Sequence, residues 1–155
     1  MNARRAASLA ACLLICLAAG GVGSLFPPGE WYAAAVKPPL TPPGWVLPVA
    51  WTTLYALMGV SLWRVWERRA ATPGRLPFVL FGTQLVLNAA WTALFFGLKR
   101  PDLAFVEIIA MGIAILATLA VFLRRDRAAG LLLTPYLGWV CFATYLNGAF
   151  WRLNP

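Results

Sequence analysis

The chain has 155 residues, 61% of them hydrophobic and only 12% charged, and its mean hydropathy is +0.74. A soluble domain carries about twice that charged fraction, so a water-soluble fold is excluded and an integral membrane protein is implied. The net charge of +8 does not mark a nucleic-acid surface, because the Lys and Arg residues stand in short clusters between apolar runs rather than along one face.

Residues 6–26, AASLAACLLICLAAGGVGSLF, follow Arg4 and Arg5 and have the charged start and small-residue end of a secretory signal. Leu9-Ala10-Ala11-Cys12 is even similar to a lipoprotein cleavage box. The apolar run before Cys12 is too short for a signal core and continues well beyond it, so the segment is read as a retained first span. A loop follows in which Pro38, Pro39, Pro42 and Pro43 remove backbone donors and push their predecessors out of the α region, which predicts a stiff, extended connection. Its Trp31, Tyr32 and Trp45 have flat amphipathic rings suited to a membrane–water boundary. A rigid aromatic lid over a helix bundle is expected.

The second span is predicted over about residues 45–66, ending in Glu67-Arg68-Arg69, and Pro73, Gly74 and Pro77 mark the turn after it. The third covers about 78–98 and stops at Lys99-Arg100-Pro101-Asp102, a tight hairpin; the fourth covers about 103–123 and the fifth about 128–151. Each is about 20 residues, enough to cross about 30 Å of hydrocarbon. Pro135 lies inside the fifth, where a kink is expected. Nine arginines, from Arg4 and Arg5 to Arg125 and Arg127, fall on one side of the spans, against Lys37, Lys99, Arg100 and Arg152 on the other. The excess of positive charge on the cytoplasmic side then puts the amino terminus inside and the loop with the carboxyl terminus outside. The expected architecture is a single all-α domain, residues 1–155, built as a five-helix membrane bundle.

Cys12, Cys16 and Cys141 lie in apolar runs without a CxxC pair, and there is no histidine, so the cysteines are read as small packing residues and neither a metal nor a cofactor is expected. Polar groups inside a bilayer are costly unless paired, so each one is informative. Gln84, Asn88 and Thr92 recur every four residues on the third span, and Thr144 and Asn147 share a face of the fifth. Gln84 and Thr144 read as interhelical hydrogen-bonding glue, whereas Asn88 and Asn147 are open to either glue or ligand contact. Trp51 and Tyr55, Trp91 and Phe95, and Trp139 and Phe142 stand at compatible spacings on three spans. Such stripes by themselves read as core before ligand box, although packing-driven membrane helices favour small residues, and so many large rings imply a wide space between them. Glu107, the one acid well inside a span, is expected to reach the interface from one turn within the fourth. Ala110, Ala114 and Thr118 form a small-xxx-small ladder for a close helix neighbour. No nucleophile–base pair, carboxylate pair or phosphate loop is present, so any catalysis would run through tryptophan or through a guest's own photochemistry.

Several separated blocks together resemble the translocator protein family, also called TspO/MBR or the peripheral-type benzodiazepine receptor family. They are Trp31-Tyr32 with Lys37-Pro38 and Pro42-Pro43; Trp45-Val46, Pro48 and Trp51-Thr52-x-Leu54-Tyr55-x-x-Met58-Gly59; Gln84-Leu85-x-Leu87-Asn88-x-x-Trp91; Phe95-Phe96-Gly97; and Pro135-Tyr136-Leu137-x-Trp139 through Phe142-Ala143-Thr144-x-Leu146-Asn147 to Trp151-Arg152. The resemblance covers about residues 29–154. It implies a five-helix, multi-pass protein of a bacterial cell membrane, commonly a homodimer, that binds porphyrins, sterols and benzodiazepine-type drugs beneath the first loop.

By the same resemblance Trp51, Asn88, Trp139, Ala143 and Leu146 line the site, Trp31, Tyr32 and Pro42 contribute from the lid, and Trp51 and Trp139 are the residues implicated in light-dependent porphyrin breakdown. With the stripes, this adds Tyr55, Trp91, Phe142 and Asn147 to the expected site. The chain has Pro39 and Leu40 where many relatives carry tryptophan, so altered porphyrin affinity or photochemistry is expected, and Ala149 where the cholesterol motif has tyrosine, which makes a sterol the least expected guest. A membrane receptor or carrier for a tetrapyrrole is the expected function. An enzyme of photo-oxidative porphyrin degradation and a structural assembly subunit are its rivals.

Overall fold

The computed structural model describes residues 2–155, and among them every regular element is helical. The five long spans are Ala3–Gly23 (α1), Val46–Glu67 (α3), Leu76–Thr92 (α4) with its continuation to Gly97, Pro101–Arg125 (α5), and a broken fifth made of Arg127–Leu132 (α6) and Thr134–Leu153 (α7). All five are long and apolar enough to cross a bilayer. The short α2, Glu30–Ala34, lies in the first loop. The chain is a multi-pass membrane protein.

Helix α1 is part of the bundle rather than an appendage, lying against both α3 and α4. Its contact with α3 depends on Gly59, where a Cβ would sit 2.8–2.9 Å from the side chain and Cα of Leu13. Cys12 and Cys16 are buried at this seam, as small packing residues should be, whereas Cys141 is exposed. In lipid, small residues at such crossings let backbones approach closely, and the dispersion contacts that follow hold the helices together.

The arginine-rich end is tied together by ions. Asp126, between α5 and α6, accepts the backbone N–H of Ala129 at 3.1 Å and pairs with Arg64 at 3.1 Å and Arg68 at 2.8 Å. Burial by itself would raise this carboxyl, but the Ala129 amide and the two guanidinium groups outweigh it and hold Asp126 below its ordinary value. Beside it Ser61 donates to the Ala129 carbonyl at 2.7 Å, fixing α6 to α3. On α1, Arg5 pairs with Glu67 at 2.9 Å.

Three expectations change. The fifth span is interrupted rather than kinked: the helix breaks at Leu133, and Pro135 sits in the first turn of α7, where a missing N–H costs nothing. The first loop is only partly extended, since Trp31 and Tyr32 lie on α2 and Pro38–Thr41 closes a turn in which Thr41 N–H donates to the Pro38 carbonyl at 3.3 Å. Leu40 there has φ +67°, the left-handed position that follows proline in a type II turn. Finally, the last turn of α4 widens into a π-helical turn, Ala93–Gly97, and this irregularity turns Phe95 and Phe96 toward α2 and the lid.

Candidate functional site

Beneath the first loop lies a hollow between α3, α4, α5 and α7, walled by Trp51, Trp91, Trp139 and Phe142 and covered by Tyr32, Pro38 and Pro42. Its volume is about 120 Å³. The indoles face inward but fill much of the space themselves. Trp51 meets Trp139 edge to face at 6.4 Å between ring centroids, and Trp91 stacks on Phe95 at 5.0 Å. The wide space expected from so many large rings is therefore narrow, because aromatic rings gain more from packing on one another than from standing apart.

The floor is polar and hydrogen-bonded within the bundle. Tyr55 Oη donates to Asn88 Oδ1 at 2.5 Å, Asn88 Nδ2 donates to Tyr136 Oη at 3.1 Å, and Tyr136 Oη reaches Met111 Sδ at 3.7 Å. Asn147 accepts from Trp91 Nε1 at 3.0 Å and donates to the Pro101 carbonyl at 2.8 Å. Both asparagines are thus glue within the bundle, and each amide nitrogen keeps one further N–H for a guest.

Two lid devices hold the cover down. Trp31 and Tyr32 pack on Phe150 at 5.4 and 5.5 Å, and the Asn154 side chain clamps Val36 in both directions, accepting from its N–H at 2.9 Å and donating to its carbonyl at 3.0 Å. Lys37 folds over the Tyr32 ring at 4.1 Å and donates to the backbone carbonyls of Tyr32 and Ala35. Burial in this cover pushes the Tyr32 hydroxyl above its ordinary pKa.

Of the residues expected at the site, Tyr32, Pro42, Trp51, Asn88, Trp91, Trp139, Phe142, Ala143, Leu146 and Asn147 border the hollow. Trp31 lies outside it as part of the lid's packing, and Tyr55 sits behind Trp51, stacked on it at 5.6 Å. Sequence reasoning missed Ile108 and Met111 of α5, Val140 and Phe150 of α7, and Leu47 of α3, among others. The first two sit three apart on an ordinary apolar face and carry no signal that separates lining from core. Gln84 is buried with neither amide atom hydrogen-bonded, so the glue assigned to it is not made among the described residues. Glu107 also differs from expectation, its carboxylate oxygens being buried without a partner rather than reaching the interface. Thr144 returns its hydroxyl to the Val140 carbonyl of its own helix at 2.8 Å, and Thr118 does the same to Ala114 at 2.7 Å.

The model of the TspO/MBR family matches residues 12–152. The chain belongs to that family. Among similar proteins, the tryptophan-rich protein TspO of Chlorobaculum tepidum is 43% identical over 96% of each chain. The tryptophan-rich sensory protein of Cereibacter sphaeroides is 39% identical over 92% of this chain and 88% of its own. The human translocator protein is 39% identical over 86% of this chain and 82% of its own. As a TspO/MBR member the chain joins relatives from bacteria and animals, and its aromatic hollow lies within the matched region.

Proposed function

We propose that this TspO/MBR protein is a membrane receptor or carrier that takes a porphyrin-type tetrapyrrole into the hollow beneath its lid. The observation that carries the reading is the placement of Trp51, Trp91 and Trp139 around one mostly apolar space that no charged side chain borders among the described residues. Such a space rewards a flat apolar guest through stacking, and the spare N–H groups of Asn88 and Asn147 can mark one edge of it. The names of relatives, translocator protein and tryptophan-rich sensory protein, fit a carrier or a receptor. The closed hollow is smaller than the about 300–1,000 Å³ typical of ligand sites, so binding requires the walls or the lid to yield.

Titration of the purified protein with protoporphyrin IX in darkness tests this. Saturable quenching of tryptophan fluorescence is expected, with loss of most affinity when Trp51 and Trp139 are both changed to Leu. Quenching that is linear and unsaturable would count against it, as would a double variant that binds like the unaltered chain. A second reading, photo-oxidation of the guest, is favoured by the two oxidisable indoles meeting 6.4 Å apart at the wall. Illumination separates the readings: a protein-dependent new pigment supports catalysis, and an unchanged absorbance spectrum supports binding alone. A homodimer is proposed through the face of α5 on which Ala110 is exposed; the mass of the protein in detergent, doubled or not, decides it.

A further inference from the structure

Beside the lidded hollow lies a second, larger one. It has a volume of about 620 Å³ and opens between the end of α1, the start of α3 and the end of α4. The two spaces share Leu47, Trp51, Asn88, Trp91 and Phe96, so these side chains stand between them.

We infer that a tetrapyrrole occupies both hollows at once, with Trp51 as the leaf that moves aside, while guests of one or two rings fit the lidded hollow alone. The inference rests on the tetrapyrrole reading above and adds where the ring lies. The lidded hollow, at about 120 Å³, falls below the about 300–1,000 Å³ range of ligand pockets, so a tetrapyrrole stacked on Trp139 and Phe142, which border the lidded hollow and not the second, has to extend into the larger one. Within the partition the two indoles differ. Trp91 is tethered by its hydrogen bond to Asn147 at 3.0 Å, whereas Trp51 is held among the described residues only by ring packing on Tyr55, Tyr136 and Trp139.

The glycines of α1 show where the second hollow can be filled by substitution. Gly20 and Gly23 are explained by packing, since a Cβ would lie 2.5 Å from the Tyr55 ring at Gly20 and 3.2 Å from Thr92 at Gly23. Gly21 is not, because nothing lies within 4 Å of its Cβ position and it borders the second hollow. A side chain at that position would enter the second hollow. No residue lining either hollow is charged. The guest's carboxylates therefore have to project out of the hollows toward water.

The test is protoporphyrin IX titration in darkness of the full chain in detergent, using Gly21→Phe from α1 and Thr52→Phe from α3, with Gly21→Ala as control. Both residues border only the second hollow, and either variant alone serves if the other fails to fold. At least a tenfold loss of affinity in the Phe variants, with Gly21→Ala retaining binding, is the expected result. Phe variants that bind porphyrin like the unaltered chain overturn the inference and leave the tetrapyrrole reading standing. So does a second hollow that proves to be a seat for a lipid chain, shown by loss of co-purifying lipid with unchanged porphyrin affinity. If the unaltered chain binds no porphyrin, the tetrapyrrole reading itself fails and this inference goes with it.

Discussion

Replacing Asn88 by Leu keeps roughly the same volume but removes the centre of the Tyr55–Asn88–Tyr136 chain. Two hydrogen bonds go, but the losses are unequal. Tyr136 keeps Met111 Sδ at 3.7 Å, whereas the Tyr55 hydroxyl is stranded in a buried place. A stranded buried donor costs about 1–3 kcal/mol in soluble proteins, and side-chain hydrogen bonds between membrane helices average about 0.6 kcal/mol with a maximum of about 1.7. Asn88→Leu should therefore destabilise the bundle by about 1–3 kcal/mol. Tyr55→Phe, which leaves the ring stacked on Trp51 and so preserves the wall, should cost about 1 kcal/mol. Because both variants break the same bond, the double variant should cost less than their sum by about 0.6–1.7 kcal/mol. Unfolding by sodium dodecyl sulfate in mixed micelles, followed by far-ultraviolet circular dichroism, measures all three. If the costs add to within about 0.3–0.5 kcal/mol, the chain of hydrogen bonds beneath the hollow does not operate as described.

Further outcomes follow from other contacts. Gly59→Ala forces a methyl against Leu13 at 2.8–2.9 Å and should cost about 1–3 kcal/mol by overpacking, read in the same unfolding assay; a neutral result would mean that α1 and α3 are not in that register. Asp126→Asn should cost about 1–3 kcal/mol at neutral pH by weakening its pairs with Arg64 and Arg68. Since the folded carboxyl is held low, that stabilisation is present above the unfolded value of about 3.9 and lost as pH falls through the lower folded value. The gap between Asp126→Asn and the unaltered chain should accordingly close in acid, and a gap that persists there refutes the assignment. Asn154→Ala removes both bonds of the clamp on Val36; these are exposed, so about 1 kcal/mol is at stake, and stopped-flow dilution should show porphyrin leaving about fivefold faster.

The architecture was readable because bilayer physics leaves so few options: 20-residue apolar runs punctuated by arginine and proline can only be spans. What sequence could not give was fine geometry. Pro135 was visible as a disturbance, but whether it bends a helix or begins a new one depends on Leu133 leaving the helix, which no local pattern announces. The inward faces of α4 and α7 were legible from polar residues at helical spacing and that of α3 from Trp51 and Tyr55, whereas Ile108 and Met111 were hidden because α5 has apolar residues on nearly every face. The size of the hollow was misjudged for a related reason: ring count predicts aromatic surface, not whether the rings stack on one another. Gly21 shows the converse, since the open space where its side chain would stand carries information only once the surroundings are known.

The most direct measurement is the structure of the protein bound to protoporphyrin IX in darkness. The account predicts the macrocycle between Trp51 and Trp139 beneath the lid, one edge near Asn88 and the Trp51 indole displaced from its present place. A porphyrin found on the lipid-facing surface or at the arginine-rich end, with both indoles where they now stand, contradicts it.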